Sequence, residues 1–155
     1  MSAWLEPAGW IAALAVASGL VWGEGSRRVA LEERVAVAPR ELYRTLARSQ
    51  TAVQVVDVRA DGGEGYGDAH VPGAIPLPAC DLGRAPERAR ARIVRSAPTV
   101  LVGATGAEDE VLRCAGLFTA ARRLAGGMEA WSGESLPEDS GEYAPPSSKA
   151  GGGCL

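Results

Sequence analysis

The chain of 155 residues is 46% apolar and carries a formal net charge of -3, enough apolar material for one ordinary core but not for two. Its fifteen arginines and single lysine are scattered rather than clustered, which excludes a basic face for nucleic acid. One histidine, His70, and three far-apart cysteines, Cys80, Cys114 and Cys154, with no C-x-x-C pair, predict neither metal nor cofactor, and the odd cysteine count fits a reducing compartment.

From Pro7 to Gly23 run seventeen uncharged residues, bracketed by Glu6 and Glu24, with Trp4, Trp10 and Trp22 where interfacial rings would sit. As a helix the run would span about 25 Å, just enough for a bilayer core. A cleaved signal peptide fits less well, because Met1 to Leu5 carries no basic side chain,. A buried soluble helix should show a polar stripe, and Gly9 to Trp22 shows only Ser18,. Residues 1–24 are therefore read as a single-pass membrane anchor. Arg27 and Arg28 follow the segment directly, which places the rest of the chain in the cytoplasm by the positive-inside rule,. Gly9, Ala13 and Ala17 recur at spacing four and offer a face for packing against another membrane helix, although a chain this rich in Ala and Gly also yields such spacings by chance,.

A charged linker, 25–34, leads into a region of alternating strands and helices, 35–138. Val35-Ala36-Val37 reads as a short strand, and Pro39 opens a helix striped by Leu42, Tyr43 and Leu46 that ends near Ser49,. Thr51 to Arg59 is a largely β-branched run, expected as a central parallel strand. The turn-rich stretch from Asp61 to Asp68 and the three prolines between Val71 and Pro78 then predict an ordered loop with a short strand in it,. Arg84 to Arg95 reads as an exposed helix with Ala89 and Ile93 on its apolar side. Thr99 to Val102 is a strand, Ala107 to Leu117 a helix with Val111, Leu112, Ala115 and Leu117 as its apolar residues, and Arg122 to Ala125 a last strand. Beyond Pro137 apolar residues thin out, and 139–155 is expected to be disordered,. The fold class is α/β, a parallel sheet flanked by helices on both faces, plus the N-terminal membrane helix.

The chemistry of such folds collects where a strand runs into a Gly-rich loop that opens a helix. Here that loop is Gly103-Ala104-Thr105-Gly106-Ala107-Glu108, and it carries no Ser or Cys. Three carboxylates, Glu108, Asp109 and Glu110, stand at the helix start, where a substrate anion would otherwise be welcomed,. Thr105 has no histidine near it in sequence and suits a cap or turn better than a nucleophile. Cys114 shares the apolar side of the helix with Val111 and reads as a buried thiol, and Cys80 reads as packed or plainly exposed.

Three motifs in order give this stretch a family. Val55-Val56-Asp57-Val58-Arg59 resembles the Asp-x-Arg strand end of rhodanese-like domains. Tyr66 with Ala69-His70-Val71-Pro72-Gly73-Ala74-Ile75 resembles their Gly-His-Ile-Pro-Gly-Ala segment, and Gly126-Gly127-Met128-Glu129-Ala130-Trp131 with Leu136-Pro137 resembles their closing Gly-Gly-x-x-x-Trp and Pro. Active members begin the loop with a cysteine that carries sulfane sulfur as a persulfide, with Gly three residues later and Arg or Ser before the helix. Matching that Gly to Gly106 puts Gly103 at the cysteine position and Glu108 at the arginine position, so the resemblance implies a degenerate site with no catalytic residue. Asp57, Arg59 and His70 are then expected to hold loops by hydrogen bonds, and Trp131 to pack at the sheet edge. The expected function is a membrane-anchored, inactive accessory module that binds other membrane subunits. The alternative is a sulfurtransferase or sulfur carrier that uses Cys80 or Cys154.

Overall fold

The computed structural model describes residues 36–48, 53–60, 65–106 and 108–145. The apolar segment with Gly9, Ala13 and Ala17, the linker, Ala107 and Cys154 lie outside the described residues. In the described residues no helix is long and apolar enough to cross a membrane.

Five parallel strands are formed by β1 (Ala36–Val37), β2 (Gln54–Asp57), β3 (Ile75–Pro76), β4 (Pro98–Val102) and β5 (Ala120–Leu124), in the order β1-β5-β4-β2-β3. The helices are α1 (Pro39–Ala47), α2 (Glu87–Arg90), α3 (Asp109–Ala115) and α4 (Gly127–Gly133), and a 3-10 turn spans Pro78–Cys80. In β2 and β4 successive side chains go to opposite faces, as the pleat requires. Val55, Val100 and Val102 join Leu42, Leu124, Met128 and Trp131 on one face. Val56 and Leu101 join Leu77, Val111, Cys114 and Phe118 on the other. The register Val55↔Val100 and Val56↔Leu101 stacks these residues face for face. Each fully buried aliphatic side chain contributes about 1.5–3 kcal/mol, so β2 and β4, two of the three interior strands, supply much of the core.

The strand and helix types agree with the pattern, and several bounds differ. The helix expected over Arg84–Arg95 is only the single turn α2. The Gln54 amide donates to the Val94 carbonyl and accepts from the Val94 N–H, at 3.1 and 2.9 Å, which holds that backbone beside β2 and out of a helix. Of the apolar residues of α3, Leu112 is 48% exposed, because with Val111 and Cys114 facing the sheet it points away. The last strand begins two residues earlier than expected, at Ala120, since Pro98 and Thr99 pair with Ala120 and Ala121.

Of the tail expected to be disordered, 139–145 is described and tied down. Asp139 makes an isolated antiparallel bridge with His70, and the Gly141 N–H donates to the Gly67 carbonyl at 2.7 Å. Tyr143 packs against the core face that holds Trp131. One aromatic and a pair of backbone partners are enough to hold a segment whose composition alone predicts no order.

The cysteines differ from expectation as well. Cys114 is fully buried, as read, but it is no thiol: it is bonded to Cys80, 34 residues away, with the Cα atoms 5.4 Å apart. A spacing that long carries no sequence signal, and the pair meets because the 3-10 turn packs against α3.

Candidate functional site

β4 delivers the chain to the loop at Gly103, which is buried. The loop is backed by the start of α4, where the N–H groups of Met128 and Glu129 donate to the carbonyls of Gly103 and Ala104 at 2.9 and 3.0 Å. That contact explains the Gly126-Gly127 pair. Gly127 has φ +57°, and a Cβ there would overlap the Ala104 carbonyl and lie 2.6 Å from the Gly103 carbonyl oxygen, so only glycine allows the two segments to meet. Arg123, from β5, donates to the Gly106 carbonyl at 2.6 Å.

Inside the loop the occupant is the chain's own carboxylate. Glu108 folds back so that one oxygen accepts the Thr105 backbone N–H and, at 3.0 Å, the Thr105 hydroxyl. Its other oxygen is buried without a hydrogen-bond partner, and a Cβ on Gly103 would overlap that oxygen and come within 2.7 Å of Val111 Cγ2. Burial pushes the Glu108 carboxyl up. Hydrogen bonds from the backbone N–H groups of Thr105, Glu108 and Gly106 and from the Thr105 hydroxyl outweigh it and hold the group below the usual carboxylate range,. Three acids at the helix start were expected to repel a substrate anion. One of them instead takes the N–H groups an anion would use. The Thr105-x-x-Glu108 spacing, in which a Glu reaches back three residues to a backbone N–H, is the signal that could have shown this.

Beside the loop lies a cleft of about 680 Å³, lined by Arg59, Asp68, Thr105, Met128, Glu129 and Ser132 among others. Its one basic side chain among these is already engaged: Arg59 makes paired bonds of 3.0 and 2.7 Å to Asp57, which is 1% exposed, and donates to the Ala69 carbonyl at 2.6 Å. His70 Nδ1 lies 2.8 Å from the Tyr66 carbonyl, and the two rings stack at 3.8 Å. The Tyr66 hydroxyl donates to the Ala74 carbonyl at 2.8 Å, and burial, followed by the nearby Asp57 carboxylate, drives its pKa well up. Asp57, Arg59 and His70 therefore hold loops together, as expected of them. Trp131 is fully buried and its indole N–H donates to the Pro137 carbonyl at 2.9 Å.

A model of the rhodanese-like domain family matches residues 38–134. The chain belongs to that family. No curated protein matches it. Among solved structures, the rhodanese-like domain is similar to a full-length protein from Lactobacillus plantarum, at 20% identity and a TM-score of 0.60 over 76% of this chain and 98% of that one. It is similar to a rhodanese-like domain from Anabaena sp., at 23% identity and a TM-score of 0.54 over 78% and 88%. It is also similar to a thiosulfate sulfurtransferase from Pseudomonas aeruginosa, at 26% identity and a TM-score of 0.53 over 68% of this chain and only 19% of that larger one. The fold is thus that of sulfurtransferases. The loop residues Gly103, Ala104, Thr105, Gly106 and Glu108 come together in it, and Cys80 and Cys114 sit with the core cluster that holds Val56, Leu101 and Val111. Among the described residues no cluster of His, Cys, Asp or Glu is arranged to hold a metal ion.

Proposed function

We propose that this rhodanese-like domain is a noncatalytic module, anchored to a membrane through the apolar N-terminal segment, which serves as an accessory or binding subunit of a membrane complex. The observation that carries the noncatalytic part is the Glu108 carboxylate seated on the loop N–H groups, against the bare backbone of Gly103. Sulfur transfer needs a thiolate in that seat, stabilised by those same N–H groups. Here the seat holds a fixed negative charge from the chain itself, and the side chain that would carry sulfur is missing. The membrane part rests on the uncharged run Pro7–Gly23 and the tryptophans around it,. Small residues at Gly9, Ala13 and Ala17 suit close packing against a partner helix,.

The competing reading, transfer through Cys80 or Cys154, is weakened by the bond that occupies Cys80. The full-length protein should be purified from solubilised membranes and assayed for sulfur transfer from thiosulfate to cyanide. The module reading expects no turnover above a protein-free blank, no effect of Cys80→Ser or Cys154→Ser, and a membrane protein retained in stoichiometric amount. Turnover lost in either cysteine variant would establish the enzyme instead.

A further inference from the structure

We infer that this domain folds and functions in an oxidising compartment outside the cytoplasm, with Cys80–Cys114 as a permanent structural bond. The inference stands independently of the accessory reading, and it reverses the side of the membrane that Arg27 and Arg28 favour,.

The placement of the two sulfurs carries it. Cys114 lies on the core side of α3, fully buried among Val56, Leu101, Val111 and Phe118. Cys80 ends the 3-10 turn, where Ala79 and Cys80 are successive non-glycine residues at φ +51° and +60°. L-residues avoid that region, where Cβ crowds the following carbonyl oxygen. The turn is held there by a tertiary bond from the Ala79 N–H to the Val58 carbonyl and by its own 3-10 bond from the Cys80 N–H to the Leu77 carbonyl, both 3.0 Å. Disulfides of reducing compartments are transient and catalytic, which requires that a thiol partner reach a sulfur. Here Cys114 is sealed in the core and only the half-buried Cys80 could be reached, and the bond between them ties the 3-10 turn to α3, which serves the fold rather than a catalytic cycle,. It persists, and persistence belongs to oxidising surroundings.

The chemistry is thiol–disulfide exchange with a disulfide-bearing oxidant protein of that compartment. One cysteine thiolate attacks the oxidant's disulfide, forms a mixed disulfide and expels one oxidant thiolate. The second cysteine thiolate attacks the mixed disulfide, closes Cys80–Cys114 and expels the second thiolate. Two electrons pass to the oxidant, and the two thiol protons pass by way of solvent to its expelled thiolates, so that it leaves as a dithiol. Because Cys114 is inaccessible once α3 packs, this exchange takes place during folding.

The test uses the full-length chain in its own cells. Thiols are trapped by acid quenching and alkylated under denaturing conditions with a mass-tagged maleimide, before and after reduction. The expected result is one tag without reduction, on Cys154, and three with it, while Cys80→Ser gives two tags either way. In parallel, a membrane-impermeant maleimide applied to intact cells should label Cys154, which no further apolar span separates from the domain. Three tags before reduction, or labelling of Cys154 only after lysis, overturns the inference.

Discussion

Adding a single carbon at Gly103 probes the loop most directly. In Gly103→Ala the new Cβ meets two neighbours: the partnerless oxygen of Glu108, and Val111 Cγ2 at 2.7 Å, where ordinary carbon contacts lie near 3.5–4.0 Å. Val111 is β-branched, 1% exposed and on α3, the helix bonded through Cys114, so it cannot rotate aside. Overpacking of this kind costs about 1–3 kcal/mol. Glu108 can swing out, but only by giving up its bonds to Thr105. Hydrogen bonds to a charged group are worth about 1.5–3 kcal/mol, and the half-exposed site puts this loss at the low end. The two effects together predict a loss of roughly 2–4 kcal/mol, or about 10–25 °C in the midpoint of a domain of some 100 residues. Urea unfolding of four proteins, the parent, Gly103→Ala, Glu108→Ala and the double variant, reads this out. With Glu108 shortened one of the two overlaps disappears, so the glycine substitution should cost about 1 kcal/mol less there. A Gly103→Ala loss below about 0.5 kcal/mol, or an equal loss in both backgrounds, would refute the carboxylate-filled loop. Gly103→Cys inherits the same overlap and should not by itself produce a working thiolate.

Glu108 also sets an acid limb. Its folded-state pKa is lowered, so the stability it contributes is fully present above its ordinary value of 4.5 and is lost as pH falls through the lower folded value,. The difference in urea midpoint between the parent and Glu108→Gln should therefore be greatest near neutrality and shrink below pH 4.5; a pH-independent difference would show that the carboxylate is not held as described. Asp57→Ala leaves the Arg59 guanidinium, whose side chain is 8% exposed, without its buried partner, and should cost about 3–5 kcal/mol; a urea midpoint within error of the parent would contradict a buried ion pair. Trp131→Ala removes the largest fully buried side chain among the described residues and the bond to Pro137, and should cost about 3–5 kcal/mol, read as lost cooperativity or a lower midpoint in thermal unfolding.

The order of elements was legible because it is written in local chemistry. Short continuous apolar runs rich in β-branched residues made Val55–Val56 and Val100–Val102 strands, Pro39 opened a helix, and the prolines between Val71 and Pro78 forbade one,. The family motifs were legible for the same reason, since Asp57 and Arg59 lie two residues apart and Gly126-Gly127 is contiguous. What tertiary structure alone decided involves partners far apart in sequence or choices between side-chain directions. Gln54 shortens α2 from 40 residues away. His70 recruits Asp139 out of a stretch whose composition predicted disorder. Cys80 finds Cys114 only once a turn held in an unfavourable backbone region has packed against α3. Glu108 is the instructive middle case: its type and position were readable as a departure from the family pattern. Whether its charge would repel an anion or take the anion's place depended on one side-chain direction, and that direction was set by the N–H groups of a loop closed against Gly127.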